Sequence, residues 1–355
     1  VAGLAGALDT VGMLEAAAGL PEQVEAAMGI ADGLADDLAG LAEGAGIENV
    51  VVLGMGGSGI GGDVLAAVSA PFVPVPVTVV KGYEAPSFVG EASLCFALSF
   101  SGSTEETVEA AQQAAAAGAR MVCASSGGQL ADLAESWGAL HVVLPDIPMP
   151  RAGIGAVSIP PLLVLEALGL FPGARHHVVE AVEQLKRRRD QLLAGKGDAH
   201  RVAQAIGRRI PLCYGGGALG EVAAWRLKCQ VNENAKAPAF ANTHPELCHN
   251  EICGWGNHGD VTRQVLTVVN LRHDFEHPQV ARRFELTEDI LLEATAGVQQ
   301  LFAAGGSALA QLFDLILQGD FVSLHLAAEL DVDPGPIPVL EDLKAALADR
   351  QRRMP

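Results

Sequence analysis

Ser99-Phe100-Ser101-Gly102-Ser103-Thr104 packs four hydroxyl side chains into six residues, and Glu105, Glu106 and Thr107 follow directly. Hydroxyls ahead of a predicted helix suit a phosphate, because the N–H groups and dipole at a helix start attract an anion. Gly102 lets the main chain come close to such a ligand. Ser103 and Glu106 also carry the S-x-x-E spacing of a capping box. That bland reading uses one hydroxyl, so the surplus makes Ser99, Ser101, Ser103 and Thr104 a candidate phosphate cradle.

Upstream, Gly54-Met55-Gly56-Gly57-Ser58-Gly59 matches the dinucleotide pattern G-x-G-x-x-G between a strand and a helix. A dinucleotide site wants an acidic residue at the end of the next strand. Lys81 stands there instead, which disfavours NAD and leaves NADP open. A mere packing turn is the bland alternative. A turn whose backbone touches some ligand is the better reading.

Glu233, in Asn232-Glu233-Asn234-Ala235-Lys236, follows a predicted helix over 220–231, and Pro238 ends the run. A glutamate there is ordinarily a solvated helix end. A carboxylate in a last turn, however, faces the negative end of the helix dipole, which favours its protonated form and suits a proton-abstracting base. Thr243-His244-Pro245-Glu246 reads as the capped start of another helix, carrying Cys248, His249 and Cys253, with His258 beyond. The His/Cys cluster raises a metal, but its spacing fits no standard zinc pattern. Cysteines five apart on a helix also point about 140° apart, so no metal site is expected. Arg151 after Pro148-Met149-Pro150, and Lys344 on a terminal helix, read by themselves as surface cations.

The composition limits the partners. With 355 residues and a formal charge of -19, the chain repels nucleic acid and anionic membranes. A phosphate site must therefore be built locally, from main-chain N–H groups, hydroxyls and a few cations. Half of the residues are apolar and only 5% aromatic, as in an Ala/Val/Leu/Gly-rich α/β interior. Six scattered cysteines without a CxxC framework suggest a reducing compartment. The first twenty residues carry Asp9 and Glu15 and no basic cluster, unlike a signal peptide. The uncharged stretch over 152–165 is broken by Pro160 and Pro161 and is too short to span a bilayer. A soluble, cytoplasmic protein is expected.

The elements that must position these residues alternate. Strands are predicted over 49–53, 75–80, 94–100, 120–124 and 141–144, with helices over 63–69 and 104–117 between them, the latter closed by Gly118. A charged helix over 176–193 precedes a second series of strands at 209–214, 239–241, 265–271 and 299–303. Short apolar strands alternating with helices argue for parallel sheets. Leu53-Gly-Met-Gly-Gly-Ser-Gly and Cys213-Tyr-Gly-Gly-Gly-Ala-Leu-Gly suggest a duplicated fold. The expected division is a helical segment 1–46, a first unit 47–172, a helical connector 173–200, a second unit 201–330 and a terminal helical tail 331–355.

Met55-Gly-Gly-Ser-Gly-Ile-Gly-Gly-Asp63, followed by the hydroxyl run, resembles a sugar isomerase (SIS) domain. Met149-Pro-Arg151, Asn232-Glu-Asn-Ala-Lys236, Pro245-Glu-Leu-Cys-His-Asn-Glu-Ile252 and Leu343-Lys344, in that order, resemble the bifunctional phosphoglucose/phosphomannose isomerases over most of the chain. The resemblance implies an α/β fold of two tandem three-layer αβα SIS subdomains with parallel sheets and helical extensions at both ends. It implies an aldose–ketose isomerase of carbohydrate metabolism, interconverting glucose 6-phosphate or mannose 6-phosphate with fructose 6-phosphate through a cis-enediol. On that reading Gly57, Ser58 and the hydroxyl run hold the phosphate. His249, from the partner subunit of a homodimer, and Lys344 open the sugar ring. Glu233 moves the proton between C2 and C1, and Arg151 stabilises the enediolate. No cofactor is needed, since the net change relocates one proton.

Dual-specific relatives carry a threonine seven residues before the terminal lysine, where this chain has Ile337, so Ile337 is the expected specificity residue. Two rivals stand beside this reading. A SIS-type sugar-phosphate sensor would bind without turnover and has no use for Glu233, His249, Arg151 and Lys344 together. An NADP-binding protein would leave the four hydroxyls unexplained.

Overall fold

The computed structural model describes residues 4, 6–33 and 46–351; the later part of the expected N-terminal helical segment 1–46, residues 34–45, lies outside the described residues. Two short helices, α1 (Met13–Ala18) and α2 (Leu20–Asp32), lead in, α2 with Pro21 in its first turn. The first series runs β1 (Asn49–Gly54), α3 (Gly56–Ser69), β2 (Val77–Val80), β3 (Ser93–Leu98), α4 (Glu105–Ala116), β4 (Arg120–Ser125), α5 (Gly128–Trp137) and β5 (Leu140–Val143). Its sheet is wholly parallel in the order β2-β1-β3-β4-β5. Gly118, at φ +87°, closes α4 as expected.

Three helices then intervene: α6 (Ile154–Ala167), α7 (Ala174–Leu193) and α8 (Ala199–Ile206). The second series is β6 (Ile210–Gly216), α9 (Gly217–Asn234), β7 (Phe240–His244), α10 (Gly259–Val265), β8 (Leu266–Arg272), α11 (Pro278–Ala294), β9 (Val298–Phe302) and α12 (Ala308–Glu329), and α13 (Pro338–Gln351) follows. Its parallel sheet has the order β7-β6-β8-β9. In both sheets the first strand lies between the second and the third, so the expected duplication is present in the topology.

The duplication reaches single atoms. Gly54, Gly56 and Gly59 stand at the same spacing as Gly215, Gly217 and Gly220, with Gly56 at φ +53° and Gly217 at φ +60°. A Cβ on Gly59 would lie 2.8 Å from the Gly54 carbonyl oxygen, and one on Gly220 would lie 2.9 Å from the Gly215 carbonyl carbon. In each half the helix therefore leaves the strand by a turn that only glycine permits. The helix starts inside the motif, at Gly56, seven residues before the expected start at Asp63.

Strands covered on both faces read as continuous apolar runs, and Val50, Val51, Val52 and Leu53 of β1 are all 0% exposed. Each such side chain contributes roughly 1.5–3 kcal/mol by leaving water. One apolar cluster extends from Val24 of α2 and Val50 of β1 through Ile159 of α6 to Leu227 of α9 and Phe321 of α12. Smaller clusters cover the outer face of each sheet, around Cys95 and Leu130 in the first and Tyr214 and Phe284 in the second. The result is an αβα arrangement in each half, joined by a shared helical layer.

Pro160 and Pro161 do not break the stretch over 152–165; α6 runs through both. Each proline in a helix interior costs about 3 kcal/mol, but twelve consecutive residues of α6, from Ile154 to Leu165, are buried, and that burial outweighs the loss. Among the described residues, no helix is long and apolar enough to cross a membrane.

Candidate active site

Ser99 to Thr104 forms the loop between β3 and α4, with Ser99 buried and Ser101 and Ser103 exposed. The Ser99 hydroxyl donates to Thr104 Oγ1 at 2.9 Å, and the Ser103 N–H donates to Ser101 Oγ at 3.3 Å. The expected Ser103–Glu106 capping box does not form. Thr104 is the N-cap residue, and its side chain accepts no first-turn N–H; its hydroxyl is engaged by Ser99 instead. The hydroxyls thus bond within their loop, and the exposed Ser101 and Ser103 remain open to a ligand.

Ser58 joins this loop to the glycine turn, its Oγ accepting the Phe100 N–H at 3.2 Å. The Phe100 ring packs over Gly153, just past the short 3₁₀ turn Pro150–Ala152 that carries Arg151. Gly57 faces the same turn, since a Cβ on it would lie 3.5 Å from Arg151 Cα. Gly57, Ser58, the hydroxyl loop and Arg151 therefore line one locality.

Arg151 is 4% exposed, not the surface cation that its sequence context suggests. Its Nε donates to Asn234 Oδ1 at 2.7 Å, and its Nη2 donates to the carbonyls of Gly335, at 2.7 Å, and Pro334. Nη1 has no hydrogen-bond partner among the described residues and lies 3.8 Å from Glu233 Oε2. Burial pushes the guanidinium below its ordinary pKa, and Glu233 pulls it back up. Glu233 occupies the last turn of α9 with its side chain 30% exposed. A carboxylate and a buried cation thus face each other, the cation carried on a turn whose main chain lies against Gly57.

The surrounding polar seam joins Asn234 and Lys236 of the Asn232–Lys236 motif to residues of α12 and the 333–335 segment, which no motif marked. Asn234 Nδ2 donates to Ser323 Oγ at 2.8 Å, and that hydroxyl donates to the Asp320 carbonyl at 2.7 Å. Lys236 Nζ donates to the carbonyls of Glu233 and Asp333, both at 2.8 Å, and of Pro334 at 3.1 Å. Burial, then the charge of Arg151, holds the Lys236 ammonium below its usual pKa. Both the asparagine and the lysine lie in the motif around Glu233, where only the glutamate carries an expected role.

The remaining expected residues stand apart from this pair. Thr243 and His244 end strand β7, and no α-helix opens at Pro245; the chain makes two short 3₁₀ turns, Glu246–His249 and Glu251–Gly256. Asn250 separates them, its side chain accepting the Glu251 N–H. The helical angle expected between Cys248 and Cys253 therefore does not apply. His249 is exposed and makes no hydrogen bond or ion pair with Glu233 or Arg151. Ile337 is half-buried, two residues after the gripped Gly335, and Lys344 is exposed on α13. Lys81, at the end of β2, is ion-paired with Asp63. Among the described residues, no three His, Cys, Asp or Glu side chains gather as metal ligands.

Residues 45–145 match the SIS domain, and residues 195–347 match the bacterial phospho-glucose isomerase C-terminal SIS domain. The bifunctional phosphoglucose/phosphomannose isomerase of Caldicellulosiruptor bescii is 34% identical over 341 residues, covering 95% of this chain and 99% of that one. The protein of the same name from Thermoplasma acidophilum is 32% identical over 303 residues, covering 85% and 90%. Among solved structures, the C-terminal domain of glucosamine-fructose-6-phosphate aminotransferase from Francisella tularensis aligns with a TM-score of 0.68 at 15% identity, covering 90% of this chain and 96% of that one. That last likeness speaks to the fold alone.

Proposed function

The chain belongs to the bifunctional phosphoglucose/phosphomannose isomerase family, and from that premise we propose that it interconverts glucose 6-phosphate and mannose 6-phosphate with fructose 6-phosphate. The observation that carries the reading is the uncommitted Nη1 of Arg151, 3.8 Å from Glu233 Oε2. Every other donor nitrogen of that guanidinium is engaged by Asn234 or the 334–335 carbonyls.

In the reaction, Ser58, Ser101, Ser103 and Thr104 hold the phosphate with nearby main-chain N–H groups, the buried Ser99 bracing Thr104. The ring opens as a proton moves between O5 and O1, assisted by His249 and Lys344. Glu233 then takes the C2 proton and returns it to C1. Charge builds on the enediolate oxygens meanwhile, and a pre-aimed cation is worth most where charge develops in the transition state. Arg151 Nη1 supplies it.

The family resemblance supports a homodimer in which each subunit lends His249 to the other, and His249 is exposed, as that arrangement requires. The protein works in the cytoplasm on free sugar phosphates. A coupled assay with both aldose phosphates tests the reading. Turnover supports it; tight binding of fructose 6-phosphate with no turnover of either sugar returns the sensor reading.

A further inference from the structure

Helix α9 ends at Asn234 with Ala235 as its cap, and Lys236 follows at φ +52°. That left-handed position after a helix is where glycine is favoured, since a side chain there is strained. Only two other described non-glycine residues, His258 and Asp331, have positive φ. Ending the helix needs no lysine at this place. The side chain instead reaches across 97 and 98 residues of sequence, donating to the carbonyls of Asp333 and Pro334 as well as to that of Glu233.

Arg151 grips the same segment, sharing the Pro334 carbonyl with Lys236 and taking that of Gly335 as well. Two cations therefore hold three consecutive residues by their main chain. Directly beyond lie Ile337 and α13, and α13 is exposed from Val339 through Leu347, with Val339 70% and Leu343 56% exposed. With so little packing along the helix itself, its starting point and direction are set at the gripped segment.

We propose that Lys236 is a positioning residue, tying the end of α9, with Glu233, to the 333–335 segment that launches α13, with Ile337 and Lys344. Its link to catalysis rests on the isomerase reading above. The link itself is physical and can be measured without turnover. It also accounts for a strained lysine where glycine would serve helix termination alone.

Three variants separate this role from simple capping. Lys236→Gly relieves the backbone strain while removing the clamp, Lys236→Met removes the charge and keeps the strain, and Lys236→Arg keeps a donor. Hydrogen–deuterium exchange over 335–347, thermal unfolding, and kcat and KM for fructose 6-phosphate are read for each. Lys236→Gly is expected to melt no lower than the parent and to exchange faster over 335–347. Its kcat should fall on the order of tenfold to a hundredfold, as misplacement of catalytic groups does, with KM within about twofold. Lys236→Met should lose kcat similarly, and Lys236→Arg should recover most of it. Parent-like exchange in Lys236→Gly, or parent-like kcat in it, overturns the proposal. A parent protein that turns over neither sugar overturns the isomerase reading instead, and the exchange rates still decide whether the clamp exists.

Discussion

Arg226 holds Arg151 by its main chain, Nη2 of the one donating to the carbonyl oxygen of the other at 2.7 Å. Arg226 is 1% exposed, and the Asp320 carboxylate accepts its Nε and Nη2 at 3.1 and 3.0 Å. Gln230 Nε2 donates to the same carboxylate at 2.8 Å. The turn that aims Arg151 is thus fixed to the seam between α9 and α12.

Removing one partner of that pair leaves an uncompensated buried charge. Asp320→Ala is expected to cost about 3–5 kcal/mol of stability. The double variant Arg226→Met/Asp320→Leu, which removes both charges, should cost clearly less. Urea unfolding of the three proteins checks the order; a double variant as unstable as Asp320→Ala contradicts it.

Glu233→Gln should lower turnover by about 10²–10⁴-fold while leaving fructose 6-phosphate binding nearly intact. Mixed with His249→Ala subunits under conditions of exchange, it should regain part of the activity, because some mixed sites contain both native groups. Parent-like turnover in Glu233→Gln sinks the assignment of the base. No recovery on demonstrated subunit exchange sinks the shared histidine.

Gly102 sits at φ +68°, and a Cβ there would lie 1.7 Å from the Gly127 carbonyl oxygen. Gly102→Ala must therefore displace the hydroxyl loop. Inhibition of isomerisation by inorganic phosphate should weaken at least about tenfold, the equivalent of one hydrogen bond to a charged group. An unchanged inhibition constant separates the loop from phosphate binding.

Ile337→Thr concerns the choice of sugar. Glucose 6-phosphate and mannose 6-phosphate differ only at C2, so using both requires the enediol to turn before reprotonation. An added alkyl group in such a pocket shifts discrimination by roughly 1–3 kcal/mol, or about 10–200-fold. The parent should favour the glucose reaction, and Ile337→Thr should bring the two kcat/KM values closer. Equal values in the parent, unchanged in the variant, refute this.

His244 and His325 give a pH dependence. Burial, then Arg272 and Arg283, lowers His244 to about 4; burial, then His200, lowers His325 to about 4. Both pKa values lie below the ordinary 6.5, so the unfolded chain binds more protons between those limits. Stability is then full above about pH 6.5 and declines as pH falls towards 4, by on the order of 3 kcal/mol per histidine across the window. His244→Asn should flatten the profile of unfolding free energy against pH over that range. An equally steep profile would show that this histidine is not responsible.

The alternation of strands and helices, both parallel sheets and the doubled glycine motif were legible in the chain, because each has a local signature. Arg151 and Glu233 stand in the motifs that carry the resemblance, but nothing local in the sequence marks Arg151 as buried. Its packing depends on Asn234, Pro334 and Gly335, which lie 83 to 184 residues away in sequence. The capping boxes at Ser103 and Thr243 failed for two different reasons. Ser99 engages Thr104 across the first loop, and β7 continues to His244 in the second. The S-x-x-E spacing marks a helix start only when no strand or neighbouring hydroxyl takes the same residues.

The unbroken apolar cluster from Val24 and Val50 through Ile159 to Leu227 and Phe321 has a thermodynamic corollary. Neither half owns its inner face, so neither can shed the other without wetting the layer between the two sheets. Melting should be all-or-none, a single calorimetric transition with van't Hoff and calorimetric enthalpies in agreement. A ligand at the exposed Ser101 and Ser103 is then bound without the halves separating, because prising them apart would amount to unfolding the protein.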